Sequence, residues 1–373
     1  MATGMLLSLA DEHGFVALRD VEQELAYQMQ GGQTAGDEPV LRARMSNLVI
    51  FCDRAELAEQ LAPEIPRIVR IHPARVFLLV GERGGDGNDL KASVRTWCHR
   101  LGGRKVCSDE ITLRARGAGV DRLPFAVRGL VIGDLPVNVW WAAAQPPPLA
   151  GPLLHELSES AQQVVYDSIG WPDPLRGVAA VAPWMRQAEA NRWRVVSDLN
   201  WRRLKAWRRL LAQALDPASA PGAIESVREV LLEHGPHAVV QAWQLLGWLA
   251  SRLEWRLQRG QTRIGQEFLL DLAAPHGTLR VRIHRLEQGP PSIRRIRIAC
   301  TLDGRPTALN LTAEDDRRLS VLPEGAGAAA RTLTLPRESL AELVGRQLCD
   351  RERDPVFGEA MAAAQVLAEG LLA

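Results

Sequence analysis

The chain predicts an α/β N-terminal domain with a mixed sheet, followed by a smaller α+β C-terminal domain. Three observations carry this. Its 373 residues exceed what one hydrophobic core usually serves. Compact apolar runs of strand type alternate with helical spacing through the first half, and repeated period-two segments fill the second.

In order, residues 18–30 read as a helix, followed by the Gly-rich stretch 31–39. Residues 45–52 and 74–81 are buried strands flanking a helical span, 54–71, interrupted by Pro63 and Pro66. That unit should make a right-handed parallel crossover. Residues 92–99 and 105–114, joined at Gly102 and Gly103, read as an antiparallel pair that makes the sheet mixed. A helix over 121–132, a strand over 136–142, a short helix over 153–160 and a strand over 163–168 follow. A helix over 175–190 and a strand-like segment over 193–197 complete the alternation.

A capped helix over 201–215 then ends at Asp216-Pro217. The expected divisions are 1–40 (helix and linker), 41–216 (α/β domain), 217–223 (linker) and 224–373 (α+β domain). In the last, 224–233 reads as a strand, 236–253 as an apolar helix opened by Pro236 in its first turn, and 267–334 as alternating strands. Helices over 337–348 and 355–372 close it. No internal repeat or coiled-coil heptad run is visible.

Composition narrows the function classes. With 45 basic and 44 acidic side chains, no net field recruits nucleic acid or an anionic membrane. Residues 238–250 are the most apolar, yet Gln241 and Gln244 interrupt them and they are too short to cross about 30 Å of hydrocarbon. The N-terminus has no basic region before its apolar stretch and does not read as a signal peptide; it reads as the start of an amphipathic helix. Cys52, Cys98, Cys107, Cys300 and Cys349 do not form a secreted-domain framework, so a cytoplasmic, reducing location is expected. Eleven tryptophans against two tyrosines, beside abundant arginine, fit a binding surface, although high-GC codon usage also favours arginine.

The familiar apparatus of catalysis is missing. Gly81–Gly87 follows a strand but matches neither the dinucleotide fingerprint nor the P-loop, and reads as a surface loop. His234 and His237 lack further ligands at metal-site spacing and read as helix-start residues. No nucleophile turn accompanies the scattered histidines. Asp109-Glu110 and Asp315-Asp316 are adjacent carboxylates whose side chains should point apart, and read as solvated charge. No cofactor is expected.

Three segments are distinctive. Residues 134–141 form a strand ending in Trp140 and Trp141, whose indoles must face opposite sides, one core and one available. In 197–211, Ser197, Asp198 or Asn200 can cap a helix whose Trp201 and Trp207 share one face while Arg202, Arg203, Arg208 and Arg209 flank it. The third, 246–253, carries Trp248 and Arg252. These residues are the partner-binding candidates, against the alternative of a capped helix simply packed on the sheet.

Together the three segments, with Arg70–Arg75 and Val165–Ser168, resemble the OpcA family, the glucose-6-phosphate dehydrogenase assembly proteins. The resemblance runs in order from about residue 45 into the C-terminal domain. It implies a non-catalytic accessory protein that binds the dehydrogenase, promotes its active oligomer and raises its activity. The family's cyanobacterial redox control through cysteines is not carried over, because Cys349 has no close sequence partner. The competing class is a sugar-phosphate- or nucleotide-binding α/β enzyme or sensor.

Overall fold

The structure, a computed structural model, describes residues 10–30, 41–84, 86–190, 194–263, 267–302, 304–324, 331–336 and 338–372. The expectations for the first nine residues, for the Gly-rich stretch 31–39 and for Trp193 lie outside these.

Apolar strand runs joined by helical crossovers build the first sheet. After α1 (Val21–Gln30) come β1 (Leu41–Arg42) and β2 (Ser46–Cys52), then α2 (Ala55–Leu61) and α3 (Ile65–Ile71), split by a 3₁₀ turn containing Pro63. Then follow β3 (Ala74–Glu82), the hairpin β4 (Leu90–Leu101) and β5 (Arg104–Arg116), α4 (Leu123–Leu130) and β6 (Val137–Trp141). Next are α5 (Pro152–Leu157), β7 (Ala161–Tyr166), α6 (Pro174–Glu189) and β8 (Val195–Asp198). The strand order is β1-β5-β3-β2-β6-β7-β8, all parallel, with β4 antiparallel on β5. The mixed sheet is as expected.

The helix read over 201–215 is instead two, α7 (Leu199–Arg203) and α8 (Lys205–Ala214), broken at Leu204. The second sheet begins later than its sequence suggested: β9 is Glu229–His234, because 217–226 turns repeatedly and buries Ala220 and Ala223. Then come α9 (Val239–Leu253), β10 (Arg256–Arg263), β11 (Glu267–Ala274), β12 (Gly277–Arg285), β13 (Ile293–Leu302), β14 (Arg305–Asp315), β15 (Arg318–Pro323) and β16 (Arg331–Thr334). Pro236 does not open α9, since His237 adopts φ 67° and the helix starts after Ala238. The strand order is β10-β11-β12-β9-β13-β14-β15-β16, with only β9 and β12 parallel. Strand β10, with one side of its ladder unpaired and mostly exposed polar residues, had no alternating signal. The second sheet equals the first in strands, eight each among the described residues.

The last helices, α10 (Leu340–Cys349) and α11 (Pro355–Leu372), do not simply close the second sheet. Helix α10 returns to the first sheet, where Ala341, Leu343, Val344 and Leu348 join Leu48, Ile50, Val76 and Trp140 in one apolar cluster beside α3. Helix α11 packs between α6 and α9. The other cluster runs without interruption from the opposite face of the first sheet through α9 into the covered face of the second.

Asp109 and Glu110 are buried, not solvated. Asp109 pairs with Arg44 and, at 3.3 Å, with Arg75, whose guanidinium also reaches Glu22 and donates to the Leu130 carbonyl at 2.9 Å. Glu110 accepts from the Trp97 indole and from Thr112 Oγ1. A carboxylate buried this deeply persists because each is paired. Cys98 and Cys107 face each other across β4 and β5 and form a disulfide, against the reducing location expected from the cysteines.

Candidate partner-binding surface

The segment 197–211 leads from the edge strand β8 into α7 and α8. Asp198 caps α7, accepting from the Asn200 amide at 2.9 Å. Its carboxylate also accepts from the Ser168 amide at 3.1 Å, the Ser168 hydroxyl and Gln244 Nε2 at 2.6 Å. Asn200 Nδ2 donates to Ser168 Oγ at 2.9 Å, while Asn200 Oδ1 accepts from Gln241 Nε2 at 2.9 Å and from Arg203. Gln241 Oε1 then accepts from the Ile293 amide at the start of β13, at 3.2 Å. Arg203 forks onto Asp167 at 2.7 and 2.8 Å.

One buried polar chain thus links β7, β8 and α7 to α9 and the second sheet. Burial, then the nearby Asp167 charge, outweighs these hydrogen bonds and pushes Asp198 up to about 7. Burial works against the Arg203 charge, but Asp167 outweighs it and raises that pKa.

Beyond the cap, Trp201 donates from Nε1 to Asp354 Oδ2 at 2.7 Å and lies 5.3 Å from the Phe357 ring. The Arg208 guanidinium lies 3.4 Å from the Trp201 ring centroid and donates to its carbonyl at 2.7 Å. Burial pulls Arg208 down to about 10. Arg202 reaches Gln347 Oε1 at 3.4 Å and Asp350 at 3.6 Å. A cleft of about 370 Å³ lies between α7, α8 and the turn joining α10 to α11.

The structure separates the sequence candidates. Trp140, Trp141, Asp198, Asn200, Trp201 and Trp207 are buried, and of these Asp198 and Trp201 reach the first cleft. Neither indole of the Trp140-Trp141 pair is available, because β6 is a central strand covered on both faces. Arg202, Arg208 and Trp248 are half-buried, and Arg252 is exposed and paired with Glu359. Asp167, Ser168, Gln241, Gln244 and Asp354 are not among the sequence candidates, and Arg203, read as flanking the helix, is turned onto Asp167. The usable signal was Gln241 and Gln244, two amides three residues apart in an otherwise apolar helix, which demand buried partners.

Doubly wound sheets open a ligand crevice where adjacent strands send their chains to opposite sides, here the C-terminal ends of β2 and β6. Phe51 and Trp141 stack there, ring centroids 4.5 Å apart, both 3% exposed. The Ala142 amide donates to the Phe51 carbonyl at 3.0 Å, extending the pairing past the strand ends. The turn Cys52-Asp53-Arg54 has no glycine to admit a pyrophosphate.

These features define a two-sheet α/β protein of doubly wound topology whose halves are joined by a buried polar network and whose switch-point strands end in a buried, stacked aromatic pair. Residues 66–183 match the family model for the glucose-6-phosphate dehydrogenase subunit N-terminal domain, and 194–361 the one for its C-terminal domain. The chain belongs to the OpcA family.

The OxPP cycle protein OpcA of Nostoc punctiforme is 31% identical over 188 residues, 50% of this chain and 39% of that protein. Its counterpart from Synechocystis sp. is 29% identical over 195 residues, 50% of this chain and 38% of the relative. The match thus spans about two-fifths of the curated relatives' length. An oxidoreductase structure from Parabacteroides merdae superposes with a TM-score of 0.51 at 10% identity, covering 88% of this chain and 97% of the other, a likeness of fold alone.

Proposed function

We propose that the chain is a non-catalytic, cytoplasmic assembly factor that binds glucose-6-phosphate dehydrogenase, favours its active oligomer and so raises its activity. The observation that carries this is the match of consecutive family models to both halves of the chain. The glycine-free turn after β2, beside the buried Phe51–Trp141 stack, supports a non-catalytic reading over a nucleotide-dependent enzyme. A binding partner shifts an assembly equilibrium only through its differential affinity for the two states, so activation requires tighter binding to the competent oligomer.

Arg252 and Trp248, together with the accessible part of Arg202, are the docking candidates that retain solvent contact. Mixing the purified chain with the cognate dehydrogenase should yield co-elution on size exclusion, a shift of the enzyme to larger species and a higher rate. Separate elution with an unchanged rate refutes the proposal. Arg252→Glu should weaken the complex roughly tenfold at low salt, while its surface ion pair with Glu359 contributes at most about 1 kcal/mol to folding.

A further inference from the structure

Lys205 and Arg209 stand one turn apart on α8, with Ala206 between them and Arg202 at the end of α7; Arg202 and Lys205 also border the first cleft. They line one wall of a second cleft of about 330 Å³, whose facing wall is the chain leaving β16. Leu333, Leu335 and Pro336 make that wall apolar, and Arg346 and Glu338 stand at its end. Among the described residues, five basic side chains and a single carboxylate line the cleft.

The commitments of these charges differ. Arg203 is held by Asp167, Arg202 is shared with Gln347 and Asp350, and Arg346 pairs with Glu338, the lone carboxylate. Lys205 and Arg209 are exposed and have no ion pair among the described residues. Like charges one helical turn apart repel, and a bound anion would relieve that cost.

We propose that this cleft binds a small molecule bearing a phosphoryl group. The Arg209 fork and the Lys205 ammonium suit phosphate oxygens, and Ala206 between them leaves space for the group to approach. The apolar wall opposite gives a carbon skeleton a surface to pack on. A concave site of about 330 Å³ matches the lower end of small-molecule pockets, which favours this occupant over an extended acidic peptide. The site is independent of the dehydrogenase-binding reading and stands or falls without it.

The test is a calorimetric titration of the full chain at low salt with glucose 6-phosphate, inorganic pyrophosphate, glucose and a poly-glutamate peptide. Binding of at least one phosphoryl compound, none of glucose, and a fall in affinity of roughly tenfold or more in Lys205→Ala/Arg209→Ala would support the site. The double variant should melt with the free wild-type chain, since neither side chain carries a hydrogen bond among the described residues. Silence from both phosphoryl compounds, affinity unchanged in the double variant, or binding of the peptide alone would overturn it. None of these outcomes bears on co-elution with the dehydrogenase.

Discussion

At the scale of single residues, Asp198 shows why a residue chosen as a binding candidate became an internal one. Its carboxylate is buried and accepts four hydrogen bonds, and burial raises its pKa to about 7 from 3.8. The folded chain therefore holds this proton over a range where the unfolded chain has released it. The group's contribution to stability is full below about pH 3.8 and is lost as pH rises through about 7. Asp198→Asn removes that dependence and sets an amide donor against donors, costing about 1–3 kcal/mol. The melting-temperature gap between wild type and variant should be wider at pH 5 than at pH 8; an equal gap would refute the assignment. Arg208→Glu, attractive on sequence as a surface reversal, should instead unseat Trp201 and lower the melting temperature, because the guanidinium stacks on that ring.

At the scale of elements, Gly247 in the distinctive segment 246–253 explains itself by packing. A Cβ there would meet the Ala360 carbonyl oxygen at 2.2 Å, so α9 and α11 are in backbone contact. Ala in place of a helical Gly ordinarily gains about 1 kcal/mol; here Gly247→Ala should destabilise by about 1–3 kcal/mol through overpacking. Thermal or chemical denaturation decides the sign, and a stabilised variant would contradict the contact. Helix α10 depends on its capping box, Ser339 with Glu342, and Ser339→Ala should cost about 1 kcal/mol, read from the denaturation midpoint. The elements themselves were largely legible from period and punctuation. Sequence could not show the break at Leu204, nor the late start of β9, where 217–226 turns repeatedly and buries Ala220 and Ala223.

At the scale of the whole molecule, the C-terminal helices tie the two sheets together. We propose that the chain divides at 217–223, yet α10 covers the first sheet and α11 packs between α6 and α9. A chain ending at Pro336 would expose both apolar surfaces and should aggregate or lose its cooperative melt; a soluble, cooperatively folding truncation would refute this role. No helix among the described residues is long and apolar enough to cross a membrane.

The sequence by itself determined most strands and helices of the first sheet, its mixed character and the family likeness, because periodicity, caps and motif order are local properties of the chain. Only the tertiary structure decided which motif residues touch solvent. Trp140, Trp141, Asp198, Asn200, Trp201 and Trp207 lie inside because central strands and the returning α10 and α11 cover them, and that burial arises from contacts distant in sequence. The physical reason is the same for the cleft at Lys205 and Arg209: its two walls are 124 or more positions apart, Arg209 to Leu333, and no local pattern records that they meet.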